Sequence, residues 1–286
     1  MIVPLERIRA ILHAEDPDAW YRLGVAYGNA DEWSKAITAL KNALRLNACH
    51  DDSLEALGKA YLLLGDAESA AKYYYDAARL DIWHRNPQRW NNLGIAYGKL
   101  GRLDDEVKAY RKALEYDPKN VAVWRNLTTV FYNANRFSDL VAVCEEAVRH
   151  IPQDARVWYD FGFALEKLAL EKSDLERAAW ACAEAWRLRP DFPGPWMDLM
   201  RVRVKLGRFD EAGAVCREVA QHRPNDHGYA LSQLCEHYIW AGRYEAAEDI
   251  LTSLSKVAPD YVTNLRELLN GQIAKQKVSI SPKGLD

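Results

Sequence analysis

An all-α fold assembled from repeated helical hairpins is what this 286-residue sequence predicts, on three observations. Tryptophan recurs at Trp90, Trp124 and Trp158, 34 residues apart, a period that belongs to helical repeat arrays. Around Trp90 the residues Leu93, Gly94 and Tyr97 stand at i+3, i+4 and i+7, which is one face of a helix. The pairs Gly65-Asp66, Gly101-Arg102, Gly207-Arg208 and Gly242-Arg243 then break the helical pattern in mid-period, and Pro118, Pro152, Pro190, Pro224 and Pro259 close it.

The same octet appears as Trp20-Tyr21-Arg22-Leu23-Gly24-Val25-Ala26-Tyr27, as Trp90-Asn91-Asn92-Leu93-Gly94-Ile95-Ala96-Tyr97 and as Trp158-Tyr159-Asp160-Phe161-Gly162-Phe163-Ala164-Leu165. Followed by Ala, an aromatic or aliphatic residue, Ala and Pro, this pattern resembles the tetratricopeptide repeat over about six-sevenths of the chain. The register is 17–50, 51–84, 87–120, 121–154, 155–192, 193–226 and 228–261. The resemblance implies a right-handed superhelical solenoid of about seven hairpins whose first helices line a concave groove.

A lone hairpin cannot bury both faces, so stacking supplies the stability and the ends need caps. Residues 1–16 are expected to form an N-terminal capping helix through Leu5, Ile8, Ile11 and Leu12. Residues 262–275 are expected to form a C-terminal one through Leu265, Leu268, Leu269 and Ile273, with 276–286 a flexible tail. Thr128, Met200 and Cys235 replace the small glycine and are expected to push helices apart. Arg85-Asn86 is a two-residue excess. Four extra residues fall near Leu170 to Ser173, after which Ser173 and Glu176 read as a capping box.

Composition narrows the function class. With 38 Lys and Arg against 41 Asp and Glu, the net charge is −3, and no basic field draws the chain to nucleic acid or to an anionic membrane. No apolar run reaches the roughly 20 residues that span a bilayer, and Glu6 interrupts any signal-peptide core, so the expected location is cytoplasmic. The five cysteines lack a CxxC pair and read as free thiols, with Cys144, Cys182 and Cys216 as a packing row. No metal, cofactor or catalytic motif is read, and the chain is expected not to be an enzyme.

The residue before the signature leucine or its equivalent runs Arg22, Ala56, Asn92, Asn126, Asp160, Asp198 and Gln233, a polar ladder expected to face the groove. Asparagine offers an acceptor and two donors, suited to the backbone of an extended peptide. Arg125 and Arg156 beside Asn92 and Asn126 form a candidate carboxylate-reading cluster, and Tyr132, Tyr159 and Phe163 are candidate aromatic anchors. Co-chaperones of the resembled family clamp a C-terminal carboxylate with lysine, asparagine and arginine. The matching sites here hold Tyr21, Val25, Ala56, Gln88 and Asn92, so that ligand is not implied.

The expected function is that of a scaffold or adaptor, holding a peptide or helix of a partner protein in its concave groove during assembly of a larger complex. The alternatives are a regulatory or targeting subunit that works through its convex face or edges, and self-assembly into a homo-oligomer.

Overall fold

The computed structural model describes residues 2–80 and 86–280. Among them every regular element is helical. The chain divides into two compact units, Met1–Val130 and Phe131–Asp286. The first holds α1 (Ile2–Leu12), α2 (Pro17–Asn29), α3 (Trp33–Leu46), α4 (Asp51–Leu63), α5 (Ala67–Leu80), α6 (Pro87–Lys99) and α7 (Leu103–Tyr116), and most of α8 (Val121–Asn133). The second continues with α9 (Phe137–His150), α10 (Ala155–Leu168), α11 (Lys172–Leu188), α12 (Pro193–Lys205), α13 (Phe209–His222), α14 (His227–Trp240), α15 (Tyr244–Val257) and α16 (Val262–Ile280). Arg85 and residues 281–286 lie outside the described residues.

Local chemistry explains the bounds. Five of the first helices start at a capped turn: Asp16, Asn86, Asn120 and Asp154 each accept a backbone N–H from the first turn, and His50 does so through Nδ1. Pro17, Pro87 and Pro193 occupy the first helical position, where no N–H is needed. Six of the hairpins then reverse through a left-handed residue, and the connection from α10 to α11 has none. Gly65, Gly101, Gly207 and Gly242 fill four of these positions, whereas Asp31 and Asn135 adopt φ of 58° and 53°. Trp20, Trp124 and Trp158 donate their indole N–H to the carbonyls of Ala14, Pro118 and Pro152 at 2.8–2.9 Å, pinning each first helix to the segment before it.

Helix pairs meet at the signature glycine. A Cβ on Gly58 would stand 2.7 Å from the Tyr74 ring, and one on Gly94 2.5 Å from Tyr110. Leu40 closes on Gly24 in the same way. In the second unit Cys182 takes that place against Gly162, and Cys216 meets Met200 with sulfur atoms 3.5 Å apart. The volume that Met200 adds is offset by a small partner, where a tyrosine or leucine stands opposite glycine.

Three expectations are corrected. The N-terminal helix forms, but Leu5, Ile8, Ile11 and Leu12 are exposed. The i, i+4 face that packs on α2 is Glu6 and Ala10, because the small alanine allows the backbones to approach. The C-terminal helix runs to Ile280, past the expected end at 275, since no proline or glycine interrupts 272–280. The capping box forms between Glu171 and Asp174, because the Asp174 carboxylate reaches back to the N–H groups of Leu170 and Glu171 at 3.2 Å. The insertion thus lengthens α11 to 17 residues.

Gly94→Ala is expected to cost about 1–3 kcal/mol by overpacking. On a Tyr110→Ala background, where no atom beyond Cβ faces the glycine, the same change should be close to neutral, a coupling that urea unfolding of the four proteins measures. Asp31→Gly should raise stability by about 0.5–1 kcal/mol, read in the same assay, because it removes a left-handed non-glycine residue.

Candidate functional site

One residue row separates what packs from what is offered. Ala26, Ala60, Ala96 and Val130 are buried, while their neighbours one position earlier, Val25, Lys59, Ile95 and Thr129, are half-buried or exposed. In the second unit the equivalent positions are Phe163, Arg201 and Glu236, all half-buried. These side chains lie on the first helices. In the first unit a cavity of about 230 Å³ opens beside Tyr21, Arg22, Val25 and Asn29.

The expected polar ladder is engaged within the protein. Asn126 donates through Nδ2 to Oδ1 of Asn91 at 2.9 Å, a bond between consecutive first helices, and the Asn92 amide oxygen accepts from Gln88 at 2.8 Å. Arg125 is exposed, and its carbonyl accepts from Thr128 and Thr129. Asp160 and Asp198 are buried rather than presented. Consecutive first helices α10, α12 and α14 touch one another directly, so the ladder position falls under the neighbouring helix. Each aspartate meets an arginine about one turn away: Arg156 donates to Asp160 at 2.9 Å and Arg201 lies 2.7 Å from Asp198.

The anchors are partly spent on each other as well. Tyr132 and Phe163 pack with ring centres 5.1 Å apart, and Tyr159 stacks edge-on against Phe192 at 5.2 Å and crowds Gly194. All three candidate rings keep a half-buried edge, and the Lys167 ammonium sits 5.1 Å over Phe163.

Electrostatics differ along the row. Around Tyr21, burial and then the carboxylates of Asp52, Glu55, Asp18 and Asp51 push the phenol pKa up, which marks this end as acidic. Arg89, almost completely buried, binds Asp51 at 2.8 Å and Glu55 at 3.2 Å. In the second unit Glu166 accepts from Arg201 at 2.8 and 2.5 Å and from Lys205 at 2.7 Å. Burial alone would raise the Glu166 pKa, but these two cations hold it below the usual carboxylate range. Burial raises Asp198, against the pull of Arg201.

The four buried cysteines offer no nucleophile at this surface. Burial pushes the Cys216 thiol up to about 12 and Cys235 to about 11, and raises Cys144 and Cys182 well above the ordinary value. Among the described residues no cluster of three metal-ligating groups occurs, and no helix is long and apolar enough to cross a membrane.

Sequence reasoning overlooked Arg89 and Asn91 as partners of the row. Opposite charges or matched amides about one repeat apart, as in Glu55 with Arg89 and Glu166 with Arg201, were the available signal.

Comparison with known proteins settles the lineage. A family model described as the cilia and flagella-associated protein 70 C-terminal domain matches residues 81–281, and a tetratricopeptide-repeat model matches residues 21–87. The chain belongs to this tetratricopeptide-repeat family. Both models describe repeat domains rather than enzymes. The bovine BBSome complex member BBS4 is 34% identical over 111 residues, covering 39% of this chain and 21% of that protein. Subunit 3 of the anaphase-promoting complex from Schizosaccharomyces pombe is 25% identical over 104 residues, covering 36% of this chain and 15% of that protein. The chain therefore spans about a fifth or less of the length of these relatives. The C-terminal part of a tetratricopeptide protein from Cytophaga hutchinsonii superposes on 87% of this chain and 99% of its own with a TM-score of 0.66 at 13% identity, which shows a shared fold.

Glu166→Gln tests the buried network. The folded-state pKa of Glu166 is depressed, so its stabilisation is present above the ordinary carboxylate value and is lost as pH falls through the folded value. The variant should cost about 1–2 kcal/mol near neutral pH, and the difference from wild type should shrink below about pH 4, as urea unfolding at the two pH values measures.

Proposed function

We propose that the chain is a protein-interaction scaffold whose first helices hold a peptide or helix of a partner protein, as one member of a larger assembly. The observation that carries this reading is the row Val25, Lys59, Ile95 and Thr129, which stays open to solvent beside a row that is wholly packed. In each hairpin the packing surface is consumed by the second helix, so specificity falls to these positions and to Phe163, Arg201 and Glu236. The family membership and the likeness to named complex members support this class of function.

The engaged ladder changes how the partner is read. Asn92 and Asn126 already spend hydrogen bonds inside the protein, and each net bond contributes only about 1 kcal/mol. Micromolar binding needs roughly 8 kcal/mol, so side-chain contacts must supply most of it. Tyr132, Tyr159 and Phe163 have ring edges suited to apolar partner side chains, while Arg125 is exposed and Arg156 is held by Asp160.

The test compares tagged wild type with a Lys59→Glu, Thr129→Glu double variant in affinity purification with mass spectrometry, followed by titration of the recovered partner. A Lys72→Glu variant on α5 serves as the control. Loss of the partner from the double variant alone, by at least about tenfold in affinity, is the expected result. Equal retention by all three proteins would place binding elsewhere.

A further inference from the structure

The first hairpin has a second open surface, on the opposite side of α2 from the row just described. A cavity of about 590 Å³ lies between α1 and α3 and is floored by Trp20, Leu23 and Tyr27 of α2. Its walls bring Ala10, Ile11 and Ala39 to the apolar floor and Arg7 and Lys35 to the rim.

The next hairpin shows why this space is open. There the equivalent of Tyr27 is Tyr61, which is held between two neighbours: the Lys41 ammonium at 5.6 Å and the Tyr73 ring, stacked at 5.5 Å. One repeat earlier, Arg7 stands in the register of Lys41 and Ala39 in the register of Tyr73. Tyr27 keeps the Lys35 contact at 5.7 Å, but at the place of the stacked ring it has only a methyl group. The core at this end is correspondingly small, with Ala10, Leu23 and Ala39 buried and Trp20 and Tyr27 only partly covered. Beside the cavity α1 exposes Leu5, Ile8, Ile11 and Leu12, which extends the apolar surface.

Charge identifies the occupant. The helix α3 carries Lys35, Lys41 and Arg45 and no carboxylate, with Glu32 at its N-cap paired to Lys35, whereas each other second helix, α5, α7, α9, α11, α13 and α15, carries at least two. The opposite wall α1 adds Arg7 and Arg9 against Glu6, and Glu6 is bonded to Arg9. Both walls are thus basic in a chain whose net charge is −3. Two copies meeting through α1 and α3 would set these cations against each other, which disfavours a second copy.

The geometry points to this groove as a docking site for an acidic amphipathic helix of a partner protein. Such a helix inserts an apolar or aromatic side chain over Tyr27, where Ala39 leaves room, and aligns its carboxylates with Arg7 at the rim. This surface is separate from the first-helix row, and neither reading depends on the other.

The probe is a fluorescein-labelled helical peptide of about 18 residues, with leucine at i, i+3, i+4 and i+7 and glutamate elsewhere, against the same peptide with lysine for glutamate. Fluorescence anisotropy with the full chain should give binding of the glutamate peptide at least about tenfold tighter than the lysine peptide. Ala39→Tyr places in the cavity the ring that Tyr73 provides one repeat later, and should weaken binding about tenfold or more. Arg7→Glu, at an exposed position, should do the same with an unchanged melting curve, and Lys59→Glu, Thr129→Glu should leave binding intact. Equal binding by wild type, Ala39→Tyr and Arg7→Glu overturns the proposal, as does preference for the lysine peptide. A dimer of the free chain that Ala39→Tyr converts to monomer also overturns it, because a second copy then occupies the groove.

Discussion

Where α4 crosses α5, the Gly58 backbone lies against the face of Tyr74, leaving no room for even a methyl group. The rest of the hairpin depends on that approach. It brings Leu57 and Ala60 of one helix and Ala70, Ala71 and Ala77 of the other into full burial, and each methylene removed from water contributes about 0.8 kcal/mol. The same place is filled by Leu40 against Gly24, by Cys182 against Gly162 and by Cys216 against Met200. Close packing tolerates many residue pairs at one contact if their summed volume is kept.

Once hairpins have formed, polar bonds across one repeat set their register. Asn126 with Asn91, Arg89 with Asp51 and Glu55, and His50 with Asp18 act in the first unit. Glu166 with Arg201 and Lys205, Arg177 with Glu145, and Arg208 with Glu176 act in the second. The exposed pairs contribute little stability. The buried ones matter more for specificity, because a slipped register would strand Arg89 or Glu166 without a counter-charge.

A helix in such an array serves two surfaces at once. On α2, residues Trp20, Leu23 and Tyr27 face the cavity between α1 and α3, while Tyr21, Arg22, Val25 and Asn29 face the other way. The first surface is apolar with basic walls, and the second is bordered by Asp18, Asp51, Asp52 and Glu55. A single element can therefore present opposite electrostatic preferences to two partners without a change of fold.

The hairpin architecture was legible in the sequence because Trp90, Leu93, Gly94 and Tyr97 report a periodicity, and periodicity reflects local geometry that every repeat obeys. Turn positions were legible at Gly65 and Gly101 for the same reason, but not at Asp31 and Asn135, whose side chains do not announce a left-handed backbone. The candidate site was legible only as a set of first-helix positions. Which of them face solvent was decided by tertiary packing: crowding of α10, α12 and α14 buried Asp160 and Asp198, and a neighbour's amide engaged Asn126. The outward turn of Leu5, Ile8, Ile11 and Leu12 was decided in the same way. A helix's apolar stripe shows that it can be buried, and only the surface beside it determines which residues are.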